Sequence, residues 1–219
     1  MTPSYFFHRV FIAVVAVGLV GCVTTVPRDY SLFEAAKPAS ILILPPLNDS
    51  PEIDATAAVF TTLTRPLAEK GYYVFPVALV KETFEQNGLS SASDIHELPL
   101  NKIHDIFGAD AVMYVRVTEY GASIGRLGDV VVTAEASLKS TKTGETIWTQ
   151  TATASSAEGQ NNQSSGGLVG LLLTAVIKQI ANTVSDSSYN IASMTSARLS
   201  SSLLAGPRLA VAQEGVDKK

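Results

Sequence analysis

The chain has few of the residues that cross-linking, nucleic-acid binding or catalysis would need. One cysteine in 219 residues excludes an intrachain disulfide, so the core depends on burial alone. The 16 lysines and arginines, against 20 acidic residues, form no cluster, which argues against nucleic acid as a partner. The three histidines are accompanied by no Gly-x-Ser-x-Gly elbow and no phosphate-binding loop. We therefore predict no enzyme activity, no metal site and no dissociable cofactor.

The N-terminus carries a short apolar run behind Arg9. This run, residues 10–19, is shorter than the roughly 20 apolar residues of a membrane span and is typical of a secretory leader. Four residues close it: Leu19, Val20, Gly21 and Cys22. They resemble the lipobox of bacterial lipoproteins, which implies peptidase recognition at Leu19, Val20 and Gly21 and cleavage before Cys22. It also implies a diacylglycerol on the Cys22 sulfur and an acyl chain on its amino group. The alternative is an ordinary signal peptide with a chance cysteine.

Lipidation of Cys22 would make the anchor permanent, because one acyl chain binds a membrane marginally and two or more bind stably. Val23 follows the cysteine, and by resemblance to enterobacterial lipoproteins this favours the periplasmic face of the outer membrane. We predict a signal peptide over 1–21, a lipidated tether over 22–39, a domain over 40–205 and a disordered tail over 206–219. Tyr30 and Phe33 are candidates for packing on the domain.

The hydrophobic pattern predicts a single α/β domain. Apolar strands at 41–44 and 72–75 flank a helix that Pro66 kinks or splits, which favours a parallel βαβ unit. Short helices are expected at 79–86 and 99–107, with a loop around 90–93 between them. Alternating residues then predict strands at 111–120, 130–140 and 145–155 in an antiparallel meander. The expected sheet is mixed and five-stranded, followed by helices at 168–184 and 188–204.

Two segments are candidate partner-binding sites. Asn48, Asp49 and Ser50 follow a buried strand at its carboxyl end, where open α/β sheets tend to bind ligands. The alternative is that they lock the turn and cap the next helix. The helix from residue 168 is apolar almost all round, so that Leu168, Leu172 and Leu173 face either a partner, including a second copy of the chain, or the core.

One cluster of histidines and carboxylates suggests a metal hypothesis: Asp94, His96, Glu97, His104 and Asp105. A metal site would need these side chains on one face with supporting hydrogen bonds. Pro99 interrupts the helical pattern between them, so we favour solvated side chains over a metal or catalytic site.

Three stretches, residues 41–50, 67–76 and 166–170 with the following helix, carry a family resemblance. They resemble a family of bacterial outer-membrane lipoproteins of unknown function, one member of which is a meningococcal surface-antigen candidate. The first strand, its Pro-Pro turn and the next helix also resemble the N-terminal module of TolB. TolB relatives include lipoprotein activators of peptidoglycan synthases and the periplasmic part of the curli secretion channel.

The resemblance implies a domain that binds other envelope proteins. Relatives are often encoded beside a curli-channel-like lipoprotein, which becomes a candidate partner. The function it implies is a lipid-anchored accessory protein of an outer-membrane assembly or curli-like secretion complex. The alternative is a lipoprotein regulator of peptidoglycan synthesis or of cell-wall contact.

Overall fold

A mixed sheet of six strands organises the part of the chain that the computed structural model describes, residues 28–122, 129–160 and 184–209. The strands are β1 (Ser40–Ile43), β2 (Leu47–Asn48), β3 (Tyr73–Val74), β4 (Ala111–Ala122), β5 (Val130–Ser140) and β6 (Thr146–Ser155). Their order is β3-β1-β4-β5-β6, and β2 also pairs with β4. This confirms the mixed α/β fold, while the predicted number of five strands is wrong.

Pro45 and Pro46 account for the additional strand. The apolar residues of β1 are fully buried between β3 and β4, both parallel to it, which confirms the predicted parallel pairing. The two prolines lack an N–H group and end the ladder of β1. Leu47 and Asn48, predicted as a turn, then pair in parallel with β4, where Leu47 lies opposite Arg116.

Seven α-helices are described around the sheet. They are α1 (Ser31–Ala36), α2 (Ala55–Thr62), α3 (Thr64–Glu69), α4 (Val77–Gln86), α5 (Ala92–His96), α6 (Leu100–Phe107) and α7 (Val184–Ser201), with a 3-10 helix at Ser156–Gln160. The break between α2 and α3 confirms the predicted split, because Pro66 cannot donate to the carbonyl of Thr62. The predicted loop at 90–93 instead starts α5, where the Ser91 hydroxyl accepts a hydrogen bond from Asp94 N at 3.1 Å.

The meander β4-β5-β6 is antiparallel, as predicted. Side chains alternate along β5: Val132, Ala134, Ala136 and Leu138 are buried, whereas the residues between them are partly or fully exposed. Helix α7 packs on β5 and β6. Its Thr195 hydroxyl donates to the Val132 carbonyl at 3.1 Å, which fixes the buried face of the meander under α7.

The packed part of the chain begins earlier than residue 40 and continues past residue 205. Residues 31–36 of the predicted tether form α1, and Phe33 is only 4% exposed. At the other end, Gly206 N donates to the Lys70 carbonyl at 2.7 Å, and Arg208 N donates to the Gly71 carbonyl at 3.2 Å. The tail predicted to be disordered therefore starts with residues that bond to the turn after α3.

No helix among the described residues is long and apolar enough to cross a bilayer. Several predictions lie outside the described residues: the lipobox with Cys22, and the helix that carries Leu168, Leu172 and Leu173.

Candidate binding surface

The turn of Asn48, Asp49 and Ser50 lies at the carboxyl end of β2. Asn48 Oδ1 accepts hydrogen bonds from Ser50 N at 3.0 Å and from Ser50 Oγ at 2.6 Å, and Asn48 Nδ2 donates to the Glu52 carbonyl at 2.7 Å. These bonds lock the turn, and partner binding by Asn48, Asp49 and Ser50 stays a prediction. The predicted helix cap is wrong, because α2 has Asp54 at its N-cap position and no side-chain hydrogen bond there.

Asp49 turns towards the sheet and binds Arg116 of β4. Nη1 of Arg116 donates to both carboxylate oxygens, at 2.8 and 2.9 Å. The two side chains are 45% and 48% exposed, so the pair contributes about 0–1 kcal/mol to stability. Arg116 also lies opposite Glu135 in the β4–β5 register, which places its charge between two carboxylates.

A groove of about 600 Å³ lies over the side of the meander that faces away from α7. We call this side the open face. Its groove-lining side chains are Tyr114 and Arg116 of β4, Glu135, Ser137 and Lys139 of β5, and Thr149 and Thr151 of β6. Their alternation with the buried residues follows from the two-residue period of a strand. Charged, hydroxyl and aromatic groups of this kind can bind a polar or peptide ligand by hydrogen bonds.

His96, the last residue of α5, borders the groove. Its Nε2–H donates to the Pro45 carbonyl at 2.9 Å, since a carbonyl can only accept, and its ring packs edge-on against Tyr114 with centroids 5.3 Å apart. Burial lowers the pKa of His96, the bond to Pro45 opposes this, and the charges of Arg116 and Lys139 lower the pKa further. His96 is therefore neutral at pH 7 and acts as a fixed wall of the groove.

Lys139 gives the groove a positive charge beside an aromatic ring. Its Nζ lies 4.7 Å from the centroid of Tyr114, within the range of a cation–π interaction. Arg28 reaches the groove from the N-terminal side, where its Nη2 donates to Gln150 Oε1 at 2.6 Å. The surface thus offers both signs of charge, with Glu135 as the acidic member on β5.

The five residues of the metal hypothesis do not form one site in the described part of the chain. While His96 bonds to Pro45, His104 Nδ1–H donates to the Ala109 carbonyl at 3.0 Å. No group of three or more histidine, cysteine or acidic side chains with metal-binding geometry occurs among the described residues.

The outer edge of β6 is the second feature of this surface, and the strand register determines which of its backbone groups point outwards. Leu44 N donates to the Met113 carbonyl at 3.0 Å, so the odd-numbered residues of this part of β4 turn their backbone towards β1. The even-numbered Arg116 consequently exchanges hydrogen bonds with Glu135. The alternate residues of β5, Ala134 and Ala136, then bond to β6.

It follows that Thr149, Thr151 and Thr153 turn their N–H and C=O groups away from β5. Two contacts agree with this assignment: Gln150 Nε2 donates to the Thr151 carbonyl at 3.2 Å, and Arg198 Nη1 donates to the Thr153 carbonyl at 2.5 Å. No other strand in the described part of the chain pairs with this edge. The ten residues of β6 include no charge and no proline, two devices that usually protect a sheet edge from pairing. Arg198 covers the edge at Thr153, and α1 lies beside its first residues, so the open stretch is at Thr149 and Thr151.

Part of this surface can be predicted from the sequence. Alternation along residues 130–140 already places Glu135 and Lys139 on a wet face, and the turn at Asp49 was singled out. The sequence does not predict Tyr114, Arg116 or the threonines of β6 as site residues, and it offers His96 only as a candidate metal ligand, because the non-local register alone brings these side chains together.

Comparisons with known proteins agree with the predicted family. The family model described as "Putative lipoprotein GNA1162-like" matches residues 28–208. A curated protein of Neisseria meningitidis serogroup B, named "Putative lipoprotein NMB1124/NMB1162", is 47% identical over 186 residues, covering 82% of this chain and 85% of the relative.

One solved structure shows the same relationship. The crystal structure of lipoprotein GNA1162 from Neisseria meningitidis is 46% identical, covers 67% of this chain and 100% of its own, and has a TM-score of 0.51. A PelC dodecamer from Paraburkholderia phytofirmans, 15% identical, covers 80% of this chain and 92% of its own with a TM-score of 0.46. The resemblance to TolB stays a prediction. The family match and the 47% identical relative show that the chain belongs to the GNA1162-like lipoprotein family.

Proposed function

We propose that this chain is a lipid-anchored accessory protein of the outer membrane that binds another envelope protein by strand addition at β6. The observation that carries the proposal is the middle of the β6 edge, which no described strand covers and where the N–H groups of Thr149 and Thr151 and the C=O of Thr149 point outwards beside the groove. An extended segment of a partner can bond to such an edge through its main chain.

The open face would supply specificity. Alternate side chains of an added strand would point to the side of Thr149 and Thr151, where Lys139 and Glu135 offer charges of both signs. A partner segment with acidic and basic residues at alternate positions suits this face. A curli-channel-like lipoprotein is one candidate partner, and a second copy of the chain is another.

A binding role is favoured over catalysis by the state of the ionisable groups in the groove. Asp49 is paired with Arg116, and the neutral His96 donates its proton to a carbonyl instead of facing a nucleophile. These arrangements stabilise a surface but do not prepare a general base.

Photo-crosslinking tests strand addition directly. We expect a photoreactive residue at Thr149 to cross-link an envelope protein in intact cells. Thr151→Pro removes an N–H that no strand among the described residues uses, so it should abolish the cross-link with little change in melting temperature. Thr151→Val keeps this N–H and is the matched control. A cross-link that survives Thr151→Pro at full yield would refute the proposed mode of binding.

The anchor has its own test. Cys22 is expected to be the first residue of the mature chain and to carry the acyl chains, which the intact mass of the membrane-extracted protein measures. Cys22→Ser should release the protein into the soluble fraction. Membrane association that persists in Cys22→Ser, or an unmodified terminus elsewhere, would contradict lipidation.

A further inference from the structure

The N-terminal segment is fixed to the domain from its first described residue. Arg28 Nη1 donates to Ser202 Oγ at 2.8 Å and its Nη2 donates to Gln150 Oε1 at 2.6 Å. Tyr30 Oη donates to the Ser202 carbonyl at 2.5 Å, and Phe33 is buried. The segment from Arg28 onwards is therefore part of the domain and adds nothing to the length of a tether.

The chain between the predicted anchor and this fixed point is short. Only residues 23–27 separate Cys22 from Arg28, and at about 3.5 Å per residue they reach at most about 21 Å in any conformation. A domain of about 180 residues is about 40 Å across. The tether is thus shorter than the domain is wide, and it cannot pass around the domain to let the opposite side face the membrane.

The surface around Arg28 consists of α1 and the start of β6, residues 146–148. A shallow pocket of about 190 Å³ joins Arg28, Leu32 of α1 and Thr146 of β6. Leu32 is 46% exposed at this position. We call this surface the anchor side. Its charges are mixed, with Asp29 and Glu34 beside Arg28, so it is not a basic patch of the kind that binds anionic lipid.

We propose that the anchor side faces the bilayer and is held against the lipid headgroups by the short tether. This rests on the lipidation of Cys22 in the proposed function. The contact partner is a lipid surface, and the short tether of residues 23–27 determines the orientation. Because the orientation does not come from electrostatic attraction, it is independent of the salt concentration and of the anionic lipid content.

Site-specific quenching in vesicles tests the orientation. The full-length lipidated protein is placed in vesicles of phosphatidylethanolamine and phosphatidylglycerol that contain a headgroup nitroxide. Cys22 is the only natural cysteine and its sulfur would be blocked by the thioether bond to the diacylglycerol, so one introduced cysteine takes a fluorophore selectively. Ser31→Cys labels the anchor side. Leu79→Cys labels α4, next to β3 at the opposite edge of the sheet, and Leu79 is also exposed.

We expect the nitroxide to quench the label at Ser31 at least threefold more than the label at Leu79, in low and in high salt. Insertion of 20 Gly/Ser residues between Pro27 and Arg28 adds a root-mean-square length of about 25 Å and should remove most of this contrast. Equal quenching of the two labels in protein that floats with the vesicles would overturn the orientation alone.

A contrast that survives the inserted linker would show that the tether is not its cause and would also overturn the proposal. If no variant floats with the vesicles, the protein lacks the lipid on Cys22, and the anchoring part of the proposed function fails instead.

Discussion

Replacing Val132 with aspartate would put a carboxyl group under α7, where β5 is completely buried. Val132 is 0% exposed and lies opposite Tyr120 of β4 and Ala154 of β6. Loss of the buried valine costs about 2 kcal/mol. To enter the core as a neutral acid at pH 7, the carboxyl must hold a proton about three pH units above its ordinary pKa, which costs about 4 kcal/mol. The sum of about 6 kcal/mol is comparable with the whole stability of many domains.

Urea unfolding followed by circular dichroism measures this effect at pH 7 and at pH 4. The folded state raises the pKa of the introduced carboxyl, so the proton penalty is present at pH 7 and largely disappears near the ordinary pKa. We therefore expect the loss at pH 4 to be about 4 kcal/mol smaller than at pH 7. Ser137→Asp, on the open face of the same strand, is the control and should change stability by about 0.5 kcal/mol or less. If Val132→Asp is as mild as Ser137→Asp, the assignment of faces is wrong.

Two further predictions concern the ends of the domain. Asp110 Oδ2 accepts hydrogen bonds from Ala39 N, Ser40 N and Ser40 Oγ. Burial raises the pKa of Asp110, but these hydrogen bonds and the charge of Lys142 outweigh burial and hold the pKa below its ordinary value of 3.8. The stabilisation of the fold by ionised Asp110 is complete above pH 3.8 and is lost as the pH falls through the lower pKa of the folded state. Asp110→Asn should therefore reduce the urea midpoint at pH 7, and the midpoint of the variant should fall less steeply than that of the wild type below pH 4. A variant whose midpoint falls as steeply as the wild type in acid would count against this. Gly206→Ala would bring a Cβ within 2.7 Å of the Gly71 carbonyl and should cost about 1–3 kcal/mol in thermal unfolding, whereas a melting temperature equal to that of the wild type would disprove the close approach.

Local patterns in the sequence were sufficient for the main elements of the sheet. The apolar run of β1 predicts a strand buried on both sides, and the alternation along β5 predicts its two faces, because both signals depend only on near neighbours. The break before Pro66 is equally local, since it follows from the missing N–H group.

The missed features depend on contacts between distant residues. Leu47 and Asn48 form a strand only because β4, some 70 residues later, offers a free edge beside β1. The groove likewise needs Arg116 opposite Glu135, which no local pattern specifies. Helix α1 is short and is held by Tyr30 and Phe33 against the far end of the chain, so the same residues look like a tether in the sequence.

The fixed position of Arg28 limits which partners the β6 edge can meet. Gln150, which binds Arg28, lies between Thr149 and Thr151, so the proposed strand-addition site is next to the point where the tether leaves the domain. With a reach of about 21 Å, an anchored domain can present this edge only close to the membrane surface. The proposed accessory role in an outer-membrane assembly meets this condition, because its partner would be in the same membrane. A regulator of peptidoglycan synthesis meets this condition only if its partner approaches to within that distance, because the tether reaches no farther. The short tether therefore favours the accessory role.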